Sequence, residues 1–351
     1  MKRFFVFLGI VFLTIGSAVR AQEAYSTVPL QKSSWGDAKT TQAGDYIPEV
    51  SLKMRGGYNQ DFAENAGRFY GDGLYLDING KISPSFSYSL NQRLASSYYE
   101  DNTGFNGTNW LTLTYETGDF AFTAGKDGIL VGSFEYDTDD LDSYYDMNSN
   151  FYNGFDCWQW GVYAAYYPSD SHEIYLQAAN SPYSYGEPSL FAYAAAWRGY
   201  WDHYESYWSA NLWEYERGNY VKSLNLGNRF YFGNFTVDLE YMARATQIRS
   251  MFGEDFTALV RPSYEWDWGC AFAKFGIENM TDEESPASIS SYMFYGAGLE
   301  FFPLKENKNI RLHAAWAASN IGYNALNIGL TWFIDFTGAA RRLFTGSDKL
   351  N

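Results

Sequence analysis

Apolar and polar residues alternate with period two along most of the chain between about residues 50 and 336, which is the signature of strands with two different faces. Phe86, Tyr88 and Leu90 share one face, and Ser87, Ser89, Asn91 and Arg93 the other. Phe235, Val237, Leu239 and Tyr241 oppose Thr236, Asp238, Glu240 and Arg244. Leu326, Ile328, Leu330, Trp332, Ile334 and Phe336 oppose Asn327, Gly329, Thr331 and Asp335. The pattern predicts about sixteen strands, beginning near Val50, Gly73, Ser85, Asn109, Phe120, Asp156, His172, Ser189, Ser206, Val221, Phe235, Phe256, Ala271, Ser290, Asn309 and Asn324. The strand holding Pro262 is the least regular, since proline removes a ladder donor.

Connection lengths add a second regularity. Links after even-numbered strands are short, as at Ser83-Pro84, Gly118-Asp119 and Gly233-Asn234. Links after odd-numbered strands tend to be long, at 59–72, 95–108, 127–155, 181–188, 245–255 and 279–288. Alternating short and long links, an even strand number and one apolar face per strand predict an all-β fold. The fold class is a transmembrane antiparallel up-and-down β-barrel of about 16 strands, with short turns in the periplasm and long loops outside. The apolar faces meet lipid and the polar faces a watery lumen.

Composition fits that picture. Aromatics make up 20% of the chain and charged residues 19%, and mean hydropathy is −0.36. A bundle of membrane helices, each about 20 apolar residues long, is excluded. Aromatic residues near strand ends, including Tyr75, Trp110, Trp158, Trp160, Trp208 and Trp332, are expected at the membrane interfaces.

The first residues set the compartment. Met1-Lys2-Arg3, an apolar run from Phe4 to Ile15 and small residues up to Ala21 have the order of a cleaved secretory signal peptide. The expected organisation is a signal peptide over 1–21, a short periplasmic segment over 22–48, the barrel over 49–336 and a tail over 337–351. The formal net charge is −16; cleavage removes Lys2, Arg3 and Arg20, which takes it to −19. So acidic a chain is not expected to bind nucleic acid. Cys157 and Cys270 match neither a disulfide framework nor a metal-ligand spacing.

Specific segments resemble the phosphate-selective porin O/P family. They are the run from Gly73 to Lys81 (GLYLDINGK), then Phe86–Leu90 with Arg93-Leu94, Gly125-Lys126 followed by Gly132 and Glu135-Tyr136-Asp137, the run from Gly296 to Pro303, and Arg311-Leu312-His313. The resemblance is strongest over 73–137. It implies a 16-stranded bacterial outer-membrane porin, a homotrimer, with one loop folded into the pore. Two features depart from the family. No Lys or Arg occurs between Asp127 and Trp197, where phosphate-selective members carry basic constriction residues. The chain also continues past Phe336 to Asn351.

Two sets of side chains are candidates for chemistry. The third long loop carries Glu135, Asp137, Asp139, Asp140 and Asp142. Three readings stay open for it: a pore constriction that repels anions, a calcium site, or a solvated outer loop. The second set is the lumen-lining row of Lys53, Arg55, Lys81, Arg93, Lys126, Arg244, Arg261, Lys274 and Arg311, joined by Arg198 and Arg229. Acids such as Asp77, Glu116, Glu173, Asp238, Glu240, Glu278 and Glu300 share those faces, so cross-strand pairing accounts for most of these charges. No metal or cofactor is called for.

The expected function is passive diffusion of small hydrophilic solutes or ions across the outer membrane, with anion or phosphate transport entering only through the family resemblance. The alternatives are a barrel without a channel, acting as an adhesin or structural protein, and a soluble secreted β-rich sugar binder. Enzymatic readings lack a motif: no Gly-x-Ser-x-Gly, His-Glu-x-x-His or P-loop pattern occurs.

Overall fold

A strand with one lipid-compatible face survives in a membrane only if its backbone N–H and C=O groups are paired on both edges. Here sixteen strands achieve this by closing on themselves. The computed structural model describes residues 47–94, 107–138, 147–184, 189–246, 250–281, 289–304 and 308–339. The strands are β1 (Glu49–Asp61), β2 (Ala66–Ser83), β3 (Phe86–Arg93), β4 (Thr108–Thr117), β5 (Phe120–Gly128), β6 (Trp158–Ser169), β7 (His172–Asn180) and β8 (Phe191–Trp201). They continue as β9 (Tyr204–Glu216), β10 (Asn219–Phe232), β11 (Phe235–Ala245), β12 (Asp255–Trp266), β13 (Gly269–Thr281), β14 (Ile289–Phe301), β15 (Ile310–Ser319) and β16 (Asn324–Asp335). Each pairs antiparallel with its sequence neighbours, and β16 pairs with β1 from Ser51↔Asp335 to Asp61↔Ala325 to close the barrel.

The first expected long loop, 59–72, is instead largely strand. β1 and β2 stay paired to Asp61↔Ala66, and only 62–65 turn. Asp61 Oδ1 caps that turn by accepting from the N–H groups of Ala63 and Glu64 at 2.8 and 3.0 Å, and Asn65 takes a left-handed φ of 49°. Polar content had suggested a loop there, but a strand beyond the bilayer has no apolar face to show. At Pro262 the ladder to β13 is interrupted, running from Val260↔Phe275 to Ser263↔Phe272, while Val237↔Pro262 keeps the other edge in register.

The two faces separate cleanly. Leu176, Trp208, Leu212, Leu299, Ile328 and Trp332 are exposed on the outside. Gln177, Ser209, Asn211, Asp238, Glu240 and Lys274 are buried on the inside. Tyr75 belongs to the inner set and not to an interfacial belt. It pairs with Lys53 and Arg93, and the Arg93 guanidinium lies 5.7 Å from the centre of its ring. Beyond β16, Phe336 and Thr337 clip onto β1: Phe336 N–H donates to Val50 O at 2.7 Å, and Thr337 Oγ1 accepts from Val50 N–H at 3.1 Å.

Candidate functional site

The described parts of the connection from β5 to β6, residues 129–138 and 147–157, lie inside the barrel. Its outgoing limb follows the inner wall. Leu130 N–H donates to Gln177 Oε1 on β7 at 2.8 Å, Asn211 Nδ2 on β9 donates to Leu130 O at 2.5 Å, and Gly132 N–H donates to Ser209 Oγ at 2.8 Å. Glycine is required at 132, since a Cβ there would stand 2.4 Å from Ser209 N and 2.5 Å from Trp208 C. Next, Ser133 Oγ and Glu135 N–H both donate to the Glu240 carboxylate on β11, the latter at 3.0 Å. Arg261 on β12 donates to Thr138 Oγ1 at 3.0 Å and to Phe134 O at 3.1 Å.

The returning limb runs beside it. Lys274 Nζ on β13 donates to Glu135 on the outgoing limb and, at 2.8 Å, to Asn148 Oδ1 on the returning one. Glu135 also accepts from Ser149 N–H at 2.9 Å and Ser149 Oγ at 2.6 Å. A one-turn helix, α1 (Asn150–Asn153), follows with Ser149 as its N-cap. The N–H groups of Asn150 and Phe151 donate to Glu278 at 2.7 and 3.1 Å, and Thr257 Oγ1 donates to the same carboxylate at 2.6 Å.

Apolar loop residues fill the space between these bonds. Ile129, Val131 and Phe151 pack with Trp213, Met242, Leu259 and Phe294, and Leu130 and Phe134 pack with Ala194, Ala196, Tyr175 and Tyr207. Alanines at inward positions of β8 make room for the loop, a pattern that reads in the sequence as weak hydrophobicity rather than as a docking surface. Arg229 lies 4.1 Å from the centre of the Phe134 ring and Arg244 4.5 Å from that of Phe151. Met147 rests on Ala315 and Ala317, so the loop reaches from β7 to β15.

Of the expected loop carboxylates, Glu135 meets Lys274, and Asp137 Oδ2 lies 2.9 Å from Arg198 Nη2. Burial pushes the Asp137 carboxyl above the usual carboxylate range, against the pull of Arg198. Asp139, Asp140 and Asp142 lie outside the described residues. Among the described residues no group of three or more His, Cys, Asp or Glu is placed to hold a metal ion.

The wall charges form pairs and short chains. Lys53 Nζ is 3.1 Å from Asp77, which accepts from Asn91 Nδ2 at 2.5 Å, and Asn91 accepts from Asn109 Nδ2 at 2.7 Å. Asp238 joins Arg229 and Arg261, both at 2.6 Å. Arg244 meets Asp255 at 2.6 Å, and Arg311 lies 3.8 Å from Glu300. Arg55, Lys81 and Arg93 lie in inward rows with Gly73, Ser87 and Tyr75 respectively. Lys126 is buried, pairs in register with Leu111 and Trp160, and directly follows Gly125 with φ +142°. Ser133, Ser149, Gln177, Asn211 and Thr257 were not among the expected residues. Only their place in polar inward rows or beside loop acids hints at them.

Residues 50–199 match the family model described as phosphate-selective porin O and P, which bears out over that span the resemblance read in the sequence. Similar solved structures include three variants of the Rhodopseudomonas blastica porin. One with two introduced tryptophans is 12% identical with TM-score 0.57, and one with a lysine and an arginine changed to alanine is 12% identical with TM-score 0.58. A triple mutant is 11% identical with TM-score 0.57. Each match covers 82% of this chain and 100% of the other. At such identities the likeness is one of fold. No curated protein matches the sequence.

Proposed function

We propose that this chain, a barrel of porin fold that resembles the phosphate-selective porin O and P family over residues 50–199, is an outer-membrane porin admitting small hydrophilic solutes by passive diffusion. One observation carries the reading: a closed barrel with an apolar outside holds a long loop against its polar inner wall. A loop so placed narrows the lumen, and the paired charges around it filter what enters. Export through a cleaved signal peptide and assembly as a homotrimer, which the family resemblance implies, belong to the same proposal.

The proposed ion preference is local rather than global. Glu135 and Asp137 face Lys274 and Arg198 across short distances, so these loop acids are largely compensated. The wall of β1 to β3 carries Lys53, Arg55, Lys81 and Arg93 with Asp77. The net charge of −16 therefore does not by itself make the channel cation-preferring; of the expected loop acids, Asp139, Asp140 and Asp142 lie outside the described residues. Reconstitution into planar bilayers tests the reading. Stepwise conductance with a reversal potential that moves when those three aspartates become asparagine is the expected result.

The depth of the loop packing favours a second reading, a barrel that conducts poorly and serves a structural or adhesive role. Purified protein that inserts into bilayers yet never opens in steps supports it and overturns the first.

A further inference from the structure

The loop could have lain against the wall through apolar packing alone. Instead two buried wall glutamates accept main-chain N–H groups from it, one on each limb. Glu240 on β11 takes Glu135 N–H and the Ser133 hydroxyl, and Glu278 on β13 takes the N–H groups of Asn150 and Phe151. Between them, Lys274 reaches both limbs through Glu135 and Asn148. The two strands flank β12, whose Thr257 pairs in register with Glu278 and donates to it.

We propose that Glu240, Lys274 and Glu278 are positioning residues that hold the two limbs of loop 129–157 at a fixed depth and so set the size limit of the channel. The inference rests on the porin reading above. The clamp grips the loop at Ser133 and Glu135 on the outgoing limb and at Asn148, Asn150 and Phe151 on the returning one. The chemistry selects carboxylates. Two oxygens on one side chain accept two neighbouring donors at once, an N–H and a hydroxyl at Glu240 and two N–H groups at Glu278. At Glu278 a glutamine keeps the shape but turns its N–H₂ toward a main-chain donor; at Glu240 the Ser133 hydroxyl can turn to accept from a glutamine, so Glu240→Leu is the change that loosens that limb at similar volume. Lys274 ties the limbs to each other, which couples the two anchors.

The test uses the full-length protein reconstituted in bilayers and liposomes. E240L and E278Q are expected to raise single-channel conductance by roughly two-fold, add open-channel noise, and admit larger neutral sugars in liposome swelling. Heat-dependent gel migration checks that the barrel is closed. Chymotrypsin cleavage at Phe134 or Phe151, both buried, reads the loop independently of conduction, with protection expected in the parent and cutting in the variants. Should either variant fail to fold, Ser133→Ala removes a single clamp bond from the loop side and is expected to move the same readouts less. Conductance, sugar limit and protease protection equal to the parent in folded variants overturn the proposal. A parent that never conducts refutes the porin reading alone, and the cleavage assay then still decides the clamp.

Discussion

Asp137 comes from the loop and Arg198 from the wall, and their carboxylate and guanidinium lie 2.9 Å apart inside the barrel. The relationship is unequal. Arg198 also holds Glu205, 2.5 Å from its Nη2 and 2.6 Å from its Nε, so it keeps a partner when Asp137 is lost. Loss of Arg198 instead strands two buried carboxylates, with Tyr231 OH the remaining donor to Glu205 at 2.8 Å. Asp137→Asn is therefore expected to leave the unfolding temperature unchanged or raised. Arg198→Ala is expected to cost about 3–5 kcal/mol.

The same pair carries a pH dependence. Because burial raises the Asp137 pKa in the folded barrel, the folded state binds that proton more tightly than the unfolded chain. Its carboxylate penalty is fully present above the raised pKa and is relieved as pH falls through it toward the ordinary value of about 4. Any stability advantage of Asp137→Asn over the parent at pH 8 should thus shrink as the buffer is acidified. A gap that widens with acid, read by heat-dependent gel migration, contradicts this.

Gly132 predicts a steric effect on the channel. A valine there would place Cβ 2.4 Å from Ser209 N and 2.6 Å from Trp208 Cα, against a strand paired on both edges. The wall cannot yield, so the loop must lift. Gly132→Val is expected to change conductance and add noise, at a cost of about 1–3 kcal/mol from overpacking. A parent-like current trace from a folded variant would count against a wall-seated loop.

The face assignment is tested by a matched pair of arginines. Leu176 points outward on β7, whereas Ser87 lies in the inward row of β3 opposite Lys81. Leu176→Arg should cost about 2–4 kcal/mol in lipid and depress assembly. Ser87→Arg should assemble and shift reversal potential toward anions. Equal effects of the two would undo the assignment.

Selectivity should respond in opposite directions at one ion pair. Asp77→Asn leaves the Lys53 charge dominant on the wall, and Lys53→Gln leaves that of Asp77. The first is expected to shift reversal potential toward anions and the second toward cations. Shifts of the same sign would show that this pair does not face the permeation path.

How far the sequence reveals this molecule depends on the range of the force involved. Period-two alternation records whether a residue meets lipid or the interior, so the strands from Phe120, His172, Phe235 and Asn324 begin at the residues that alternation marks. It does not record what happens beyond the membrane, and β1 and β2 pair past the apolar stretch into 59–61 and 66–72. Inward charges such as Lys274 and Glu240 are visible as charges. Their partners on the loop are not, because Glu135 and Lys274 are separated by 139 positions in the chain. Local pattern thus exposes the wall, and only the folded ring exposes the contacts across it.

The closure of β16 onto β1 bears on how the protein can fail. The described wall partners of the loop lie on β7 to β15, while the seam is built from β1 and β16 alone. Dressing the interior and sealing the cylinder therefore draw on different stretches of chain. A chain cut before Asn324 could still seat its loop yet would carry two raw edges, a target for quality control rather than for membrane insertion. A chain with a broken clamp would seal normally and pass as a finished product with a faulty aperture.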